Sequence, residues 1–327
     1  MTLRIAIDAS RTTAARITGT ENYAIQLLRG LIVLNECETH HQLDFYFRDP
    51  PAPDLFPVSP YVTHHVIPFR RMWTHLRFAA ALWQSNLWGL RPDVTFVPAH
   101  TLPLLFPGRS VVTVHDLGFK YFPQAHPVRD RLYLDLTTRY SARRAQVILA
   151  DSAATAHDLK HFYGTSPAKI RVVYPGVDTP IIGDIPTVRA KYGLPERYFV
   201  FIGTLQPRKN IARIVQAFDS YRRTSGDSAG LVLAGGKGWL YDPAWVAGGE
   251  EVYLPGYIDD ADKGALYAGA LALVFPSLYE GFGFPVLEAM LCGTPVIAAK
   301  TSSLSELVGY AGLLVDPLNV QAIADAM

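Results

Sequence analysis

Glu280 and Glu288 are two carboxylates separated by Gly281-Phe282-Gly283-Phe284-Pro285-Val286-Leu287. An apolar run, Ala270 to Phe275, precedes them and reads as a buried strand. Pro285 suits the first turn of a helix, where its missing N–H would be unpaired anyway. Gly293, with Pro295 behind it, ends that helix. Glu280 therefore falls in a strand-to-helix turn and Glu288 one turn into the helix. Gly281 and Gly283 let the backbone pass close to a ligand, and the open N–H groups of a helix start attract an anion. This combination suits a phosphorylated sugar. Two merely solvated carboxylates would not need glycines between them.

Three further clusters fall at expected strand ends. Gly203-Thr204-Leu205-Gln206-Pro207-Arg208-Lys209-Asn210 sets two adjacent cations at a strand-to-helix turn, with Asn210 as the expected cap. Cations are unfavourable at the positive end of a helix unless an anion compensates them. A diphosphate fits, with Arg208 as a two-pronged donor and Lys209 as a point charge. His115-Asp116 ends the run Val111 to Val114. Two readings stay open for it: a histidine facing a ligand, or one fixed by Asp116 or a backbone carbonyl. Gly19, just before a helix, could offer N–H groups to a phosphate within the loop Ile17 to Tyr23.

Other patterns fail. Gly281-Phe282-Gly283 would need a glycine where Val286 stands to make a dinucleotide fingerprint. Gly235-Gly236-Lys237-Gly238 lacks the spacing of a P-loop, although Gly236 and Gly238 could approach a ligand. Asp260-Ala261-Asp262 matches a metal-binding pair of carboxylates in letters but sits where a helix cap is expected. His40-His41 and His64-His65 have no partner at metal-ligand spacing.

The elements that must position these groups alternate between apolar strands and helices, which predicts parallel sheets covered on both faces. Strands are expected over Leu3–Ala9, Asp44–Arg48, Val62–Pro68, Val94–Pro98, Val111–Asp116, Gln146–Ala150 and Ile170–Tyr174. Helices are expected over Glu21–Leu34, Val128–Ala145 and Ser152–Tyr163. From Pro175 to Glu196 four prolines and three glycines loosen the pattern, which reads as a linker. The alternation then restarts with strand Tyr198–Gly203 and helix Asn210–Arg223, followed by strands Leu231–Ala234 and Val252–Tyr257 and helix Asp262–Ala270. It closes with strand Val296–Ala299, helix Ser302–Val308 and strand Leu313–Asp316. The expected architecture is α/β, with two Rossmann-like doubly wound domains facing across a cleft: residues 1–178, a linker 179–197, and residues 198–327. Ligands of such sheets bind at the carboxyl ends of strands.

Composition narrows the function class. The 327 residues carry a net charge of +1, which argues against nucleic acid as the main partner. With 49% hydrophobic and 18% charged residues there is material for two cores. Cys37 and Cys292 make no disulfide framework and read as reduced thiols of a cytoplasmic protein. No signal peptide or membrane-spanning run is present in the sequence. Met72 to Trp88 combines Arg77 with three tryptophans. It reads as a helix with one apolar face, with peripheral contact at the inner face of a membrane as the other reading.

These residues resemble a known family. Glu280-Gly-Phe-Gly-Phe-Pro-Val-Leu-Glu288-Ala-Met is similar to the signature of the retaining glycosyltransferases of family four, the group 1 type. Gly203-Thr204 with Arg208-Lys209-Asn210 resembles the same family's diphosphate-binding turn. Leu231 to Gly236, Pro255-Gly256-Tyr257 and Gly293-Thr294-Pro295-Val296 fit in order and spacing. The resemblance runs from Leu3 to Met327 and is more specific in the second half. It implies a GT-B fold with the activated sugar held mainly by the second domain. It also implies a hexosyltransferase that needs no metal or cofactor and uses a GDP- or UDP-linked sugar, with mannose or glucose as the sugar.

Carried over by resemblance, His115, Arg208, Lys209 and Glu280 form the catalytic set. Arg208 and Lys209 bind the diphosphate, with Gly203 in the same turn and Gly19 on the side of the first domain. Glu280 holds a sugar hydroxyl, with His115 beside the donor sugar. The N–H groups of Phe282, Gly283 and Phe284 face sugar and phosphate. Glu288 holds the ribose with Leu287 beside it, and the base lies near Tyr257 and Ile258. The implied acceptor is a glycan or lipid-linked glycan. Two departures stand out: the first loop retains only Gly19 of the family's glycine cluster, and Trp239 to Glu250 lacks a helix. Family members usually end in a helix crossing back to the first domain; these residues stop short of it, inside an expected helix from Val320. A nucleotide-sugar epimerase and a non-catalytic nucleotide- or sugar-binding protein are the alternatives on the same architecture.

Overall fold

A computed structural model describes residues 2–14, 19–69, 72–125, 127–238 and 240–327. Ile17 and Thr18 of the first loop, and Trp239, lie outside the described residues. The chain divides into two compact units, Met1–Leu117 with Pro127–Gly176, and Gly118–His126 with Val177–Met327.

The first unit holds seven parallel strands, β1 (Arg4–Asp8), β2 (Gln42–Phe47), β3 (Val62–Val66), β4 (Val94–Val97), β5 (Arg109–Val114), β6 (Val147–Ala150) and β7 (Ile170–Val172), in the order β3-β2-β1-β4-β5-β6-β7. Ile7 pairs with Phe45 and Phe96, so apolar residues meet across the middle of the sheet. Helices α1 (Gly19–Leu34), α2 (Ala79–Leu87), α3 (Gly118–Tyr121), α4 (Val128–Arg144) and α5 (Ala153–Tyr163) lie between the strands in sequence, with α3 belonging to the second unit. Ser152 caps α5: its Oγ accepts from the Thr155 N–H at 3.0 Å. The tryptophan-rich segment is helical from Thr74, first as a π turn and then as α2. Trp73, Phe78 and Leu82 are buried, while Trp83 and Trp88 are exposed.

The second unit holds six parallel strands, β8 (Tyr198–Ile202), β9 (Gly230–Ala234), β10 (Val252–Gly256), β11 (Ala272–Phe275), β12 (Val296–Ala299) and β13 (Leu313–Val315), in the order β10-β9-β8-β11-β12-β13. Every residue of β8, β9, β11 and β12 is buried, which is why these strands read as unbroken apolar runs. Its helices are α6 (Ile185–Tyr192), α7 (Ile211–Ser225), α8 (Lys263–Ala268), α9 (Phe284–Leu291), α10 (Ser302–Val308) and α11 (Val320–Ala326). Among the described residues no helix is long and apolar enough to cross a membrane.

Two local expectations need correction. The proline-rich stretch before β8 contains α6. Asp184 caps it by accepting the Thr187 N–H at 2.9 Å, Pro186 occupies the first turn, and Gly193 ends it at φ 62°. Punctuation that resembled a linker is therefore the start and stop of a helix. Asn210 is not a side-chain cap of α7. It adopts φ 64°, and its amide donates to Pro276 O at 3.0 Å and Pro317 O at 2.6 Å. Among the described residues, the segment from 240 to 250 holds a 3-10 turn, Pro243–Trp245.

Glycine is indispensable at one junction below the site. A Cβ on Gly235 would lie 2.1 Å from the Gly203 carbonyl oxygen, and its φ of +133° is already strained for other residues. The ends of β8 and β9 can only touch because that atom is missing.

Candidate active site

The strand order of the second sheet reverses between β8 and β11, and this switch point is where open α/β sheets bind ligands. The loop after β8 carries Arg208 and Lys209, and the loop after β11 carries Glu280. The two loops are tied by the Leu278 N–H donating to Arg208 O at 2.9 Å. Glu280 is buried. Its Oε1 meets Lys209 Nζ at 2.5 Å and its Oε2 meets Arg208 Nη1 at 2.8 Å. Arg208 Nη1 also donates to Tyr279 O at 2.6 Å. The Lys209 ammonium lies 4.8 Å from the Phe275 ring centre, a cation–π contact that holds its stem.

Burial alone would push the Glu280 carboxyl up, but Arg208 and Lys209 outweigh it and hold the group at about 2. Glu280 is therefore an anion at any physiological pH. Its backbone is fixed as well. The Glu280 N–H donates to Ser302 Oγ at 2.9 Å, and Ser303 Oγ donates to the carbonyls of Glu280 and Phe282. Ser302 and Ser303 follow β12 and escaped the sequence reading; a serine pair at a strand end was the available signal.

Gly283 precedes α9 at φ +124°, and a Cβ there would meet Leu304 Cδ2 at 2.7 Å. Pro285 sits in the first turn as expected. Phe282 is buried and packs edge-on to Phe284 at 5.2 Å. Leu287 and Glu288 are half-buried on α9. Glu288 Oε2 accepts from Tyr267 Oη at 2.8 Å, and Tyr267, on α8, is fully buried. Burial together with Glu288 drives the Tyr267 phenol well above its usual range, so it stays a donor. Tyr267 was missed from the sequence, because nothing in its neighbourhood marks a partner 21 residues away. Tyr257 is exposed, whereas Ile258 is buried. Gly203 follows β8, and a Cβ on it would lie 3.7 Å from Lys209 Cε.

Asp260 and Asp262, expected at a helix cap, are each paired with a lysine. Asp260 pairs with Lys263 at 2.6 Å, and Asp262 with Lys191 at 2.6 Å. No group of three or more metal-ligating side chains occurs among the described residues.

His115 and Gly19 belong to the first unit. Gly19 is the exposed first residue of α1. The His115 ring is buried and engaged at both nitrogens: Nδ1 with Asp151 Oδ2 at 2.6 Å and Nε2 with Pro98 O at 3.2 Å. Burial would lower its pKa, but the Asp151 hydrogen bond and charge outweigh this and raise it. The groups that fix the ring are Asp151 and the Pro98 carbonyl. His100 Nε2 accepts the His115 N–H at 3.1 Å and Tyr23 packs edge-on at 4.8 Å.

A model of the glycosyl transferases group 1 matches residues 184–327, and a model of glycosyltransferase family 4 matches residues 17–180. The O-antigen chain mannosyltransferase B of Escherichia coli is 32% identical over 94% of this chain and 85% of its own length. The chain belongs to the group 1, family 4 glycosyltransferases. It is accordingly a hexosyltransferase. Its fold is that of the GT-B enzymes. Sucrose-phosphate synthase of Thermosynechococcus elongatus superposes with a TM-score of 0.72 at 22% identity, over 99% of this chain and 88% of that one. HepE of Anabaena, solved with UDP and glucose, superposes with a TM-score of 0.69 at 18% identity, over the same shares. The transferase thus presents its two cations, Glu280 and the start of α9 at the second sheet's switch point.

Proposed function

We infer that the protein transfers mannose from a nucleoside diphosphate donor to a hydroxyl of a saccharide, with retention at the anomeric carbon. The observation that carries this reading is the convergence of Arg208 and Lys209 on Glu280 at the switch point of the second sheet. In the free protein Glu280 pairs with both cations and offsets one of their two charges. A bound diphosphate is attracted by the remaining positive charge, and Glu280 accepts a hydrogen bond from a sugar hydroxyl. As the bond from the anomeric carbon to the leaving oxygen breaks, negative charge grows on the diphosphate. Arg208, Lys209 and the positive end of α9 are already in position to stabilise it.

A carboxylate held at about 2 by two cations is a poor base and a poor nucleophile. This supports attack from the same face by the acceptor oxygen, whose proton passes to the leaving phosphate oxygen. Glu288, anchored by Tyr267, holds the ribose, and the backbone at Tyr257 and Ile258 meets the base. His115, with both nitrogens engaged, maintains the strand ends of the first unit. The choice of mannose, and of an O-antigen-like glycan as acceptor, follows the mannosyltransferase relative.

The test is incubation with GDP-mannose, UDP-glucose and their ADP counterparts, with nucleotide release and the product's anomeric configuration read by NMR. Release from one donor with a retained product is expected. Lys209→Ala should cut turnover per folded molecule at least about a hundredfold, the scale of one lost transition-state donor. Unchanged turnover sinks the assignment. A modified sugar still attached to nucleotide would identify an epimerase, and binding without release a receptor.

A further inference from the structure

Helix α6 takes no part in the donor reading, yet its last turn carries a polar cluster aimed at one loop of the second unit. Lys191 Nζ meets Asp259 Oδ2 at 2.7 Å and Asp262 Oδ2 at 2.6 Å. The adjacent Tyr192 Oη donates to Asp262 Oδ2 at 2.9 Å and accepts the Asp259 N–H at 3.1 Å. Both residues thus grip both ends of the turn Asp259 to Asp262. We propose that Lys191 and Tyr192 are positioning residues for the nucleoside of the donor: they set the loop after β10 in the shape that meets the base. This role rests on the donor reading above, which sets the base against Tyr257 and Ile258.

The loop is held at three points. At its start, the Gly256 carbonyl accepts the Gly235 N–H at 2.6 Å, so the chain leaves β10 beside the junction of β8 and β9. At its far end it runs through the 3-10 turn Asp260–Asp262 into α8, the helix whose Tyr267 holds Glu288. Between these ends the hold comes from α6. The Ile258–Asp259 peptide is trans and planar, so its carbonyl points opposite to its N–H. With that N–H on Tyr192, the Ile258 carbonyl is directed away from α6. Tyr192 therefore decides which way the loop presents this acceptor.

The support is itself fixed. The Tyr192 ring packs against the core of the second unit, and α6 packs on α8. A Cβ on Gly264 would lie 2.1 Å from the Ile181 carbonyl oxygen, so the chain leading into α6 runs directly against the start of α8. Folding stability does not account for the cluster. The Lys191 side chain is 48% exposed and that of Asp259 60%, and such ion pairs contribute little to stability. What the cluster does is restrict a short loop to one shape before a ligand arrives, which lowers the ordering cost of binding. Hydrogen bonds to Asp259 and Asp262 raise the Lys191 pKa above the ordinary lysine range, so the bridge is charged at neutral pH.

Calorimetric titration of the full chain with GDP, UDP and ADP tests the assignment in the wild type, Tyr192→Phe, Lys191→Ala and Lys191→Arg. The nucleotide that the wild type prefers should bind Tyr192→Phe and Lys191→Ala at least about fivefold more weakly, the scale of one lost hydrogen bond. Lys191→Arg, whose fork can span the same two carboxylates, should recover the wild-type affinity to within about twofold. In nucleotide release from the matching sugar nucleotide, the KM of the two weakened variants should rise by the same factor while kcat stays within about twofold. Unchanged nucleotide affinity in both, a fall in kcat as large as the rise in KM, or Lys191→Arg as weak as Lys191→Ala overturns the positioning role and leaves the donor reading standing. If the wild type binds none of the three nucleotides, the donor reading itself fails and the positioning role falls with it.

Discussion

Replacing Glu280 by Gln separates the two jobs given to that side chain. Held at about 2 instead of the usual 4.5, the carboxylate contributes on the order of 3 kcal/mol to the folded state at neutral pH. Its folded pKa is depressed, so the contribution is complete above about 4.5 and is lost as the pH falls toward about 2. Roughly three fifths of it is gone by pH 3. Glu280→Gln should therefore lower stability by about 3 kcal/mol at pH 7, a fall of about 6–12 °C in the melting of the second unit. The gap from wild type should shrink to about 1 kcal/mol at pH 3. Scanning calorimetry of both proteins between pH 3 and pH 7 measures this directly, since shared titrations cancel in the difference. The same substitution frees two cations, so nucleoside diphosphate binding should strengthen while turnover falls. Equal melting at pH 7, or a gap that does not narrow with acid, would refute the electrostatic account of the site.

His115→Ala leaves the Asp151 carboxylate buried without its partner and should cost about 3–5 kcal/mol in denaturant unfolding, with turnover per folded molecule retained. A loss of turnover without a loss of stability would return His115 to the reaction. Tyr267→Phe removes the charge-assisted hydrogen bond to Glu288 and should raise the donor KM about tenfold with kcat little changed. An unchanged KM would show that Glu288 is oriented by other groups.

The second sheet was legible because its strands are buried on both faces and so read as continuous apolar runs, as in Tyr198 to Ile202. Glu280, Arg208 and Lys209 were legible because each cluster carries its own local punctuation of glycine and proline. What escaped was set by contacts across the fold. Asp151 lies 36 residues from His115, and no spacing rule selects it over the adjacent Asp116. Tyr267 is an ordinary apolar-helix residue until α8 and α9 pack. Asn210 looked like a cap because asparagine favours that position; the fold uses its tolerance of left-handed backbone instead. Helix α6 was hidden because proline marks both linkers and helix starts, and only the Asp184 cap distinguishes them.

Asn210 also has a mechanical consequence. Its one amide grips the carbonyls of Pro276 and Pro317, joining the turn that bears the two cations to the exit of β11 and to the stretch before α11. Helix α11 in turn packs along α7, which begins immediately after Asn210. Opening of the last helix and loosening of the cation turn are thereby one cooperative event. Any ligand that orders the turn also protects residues more than a hundred positions away in sequence.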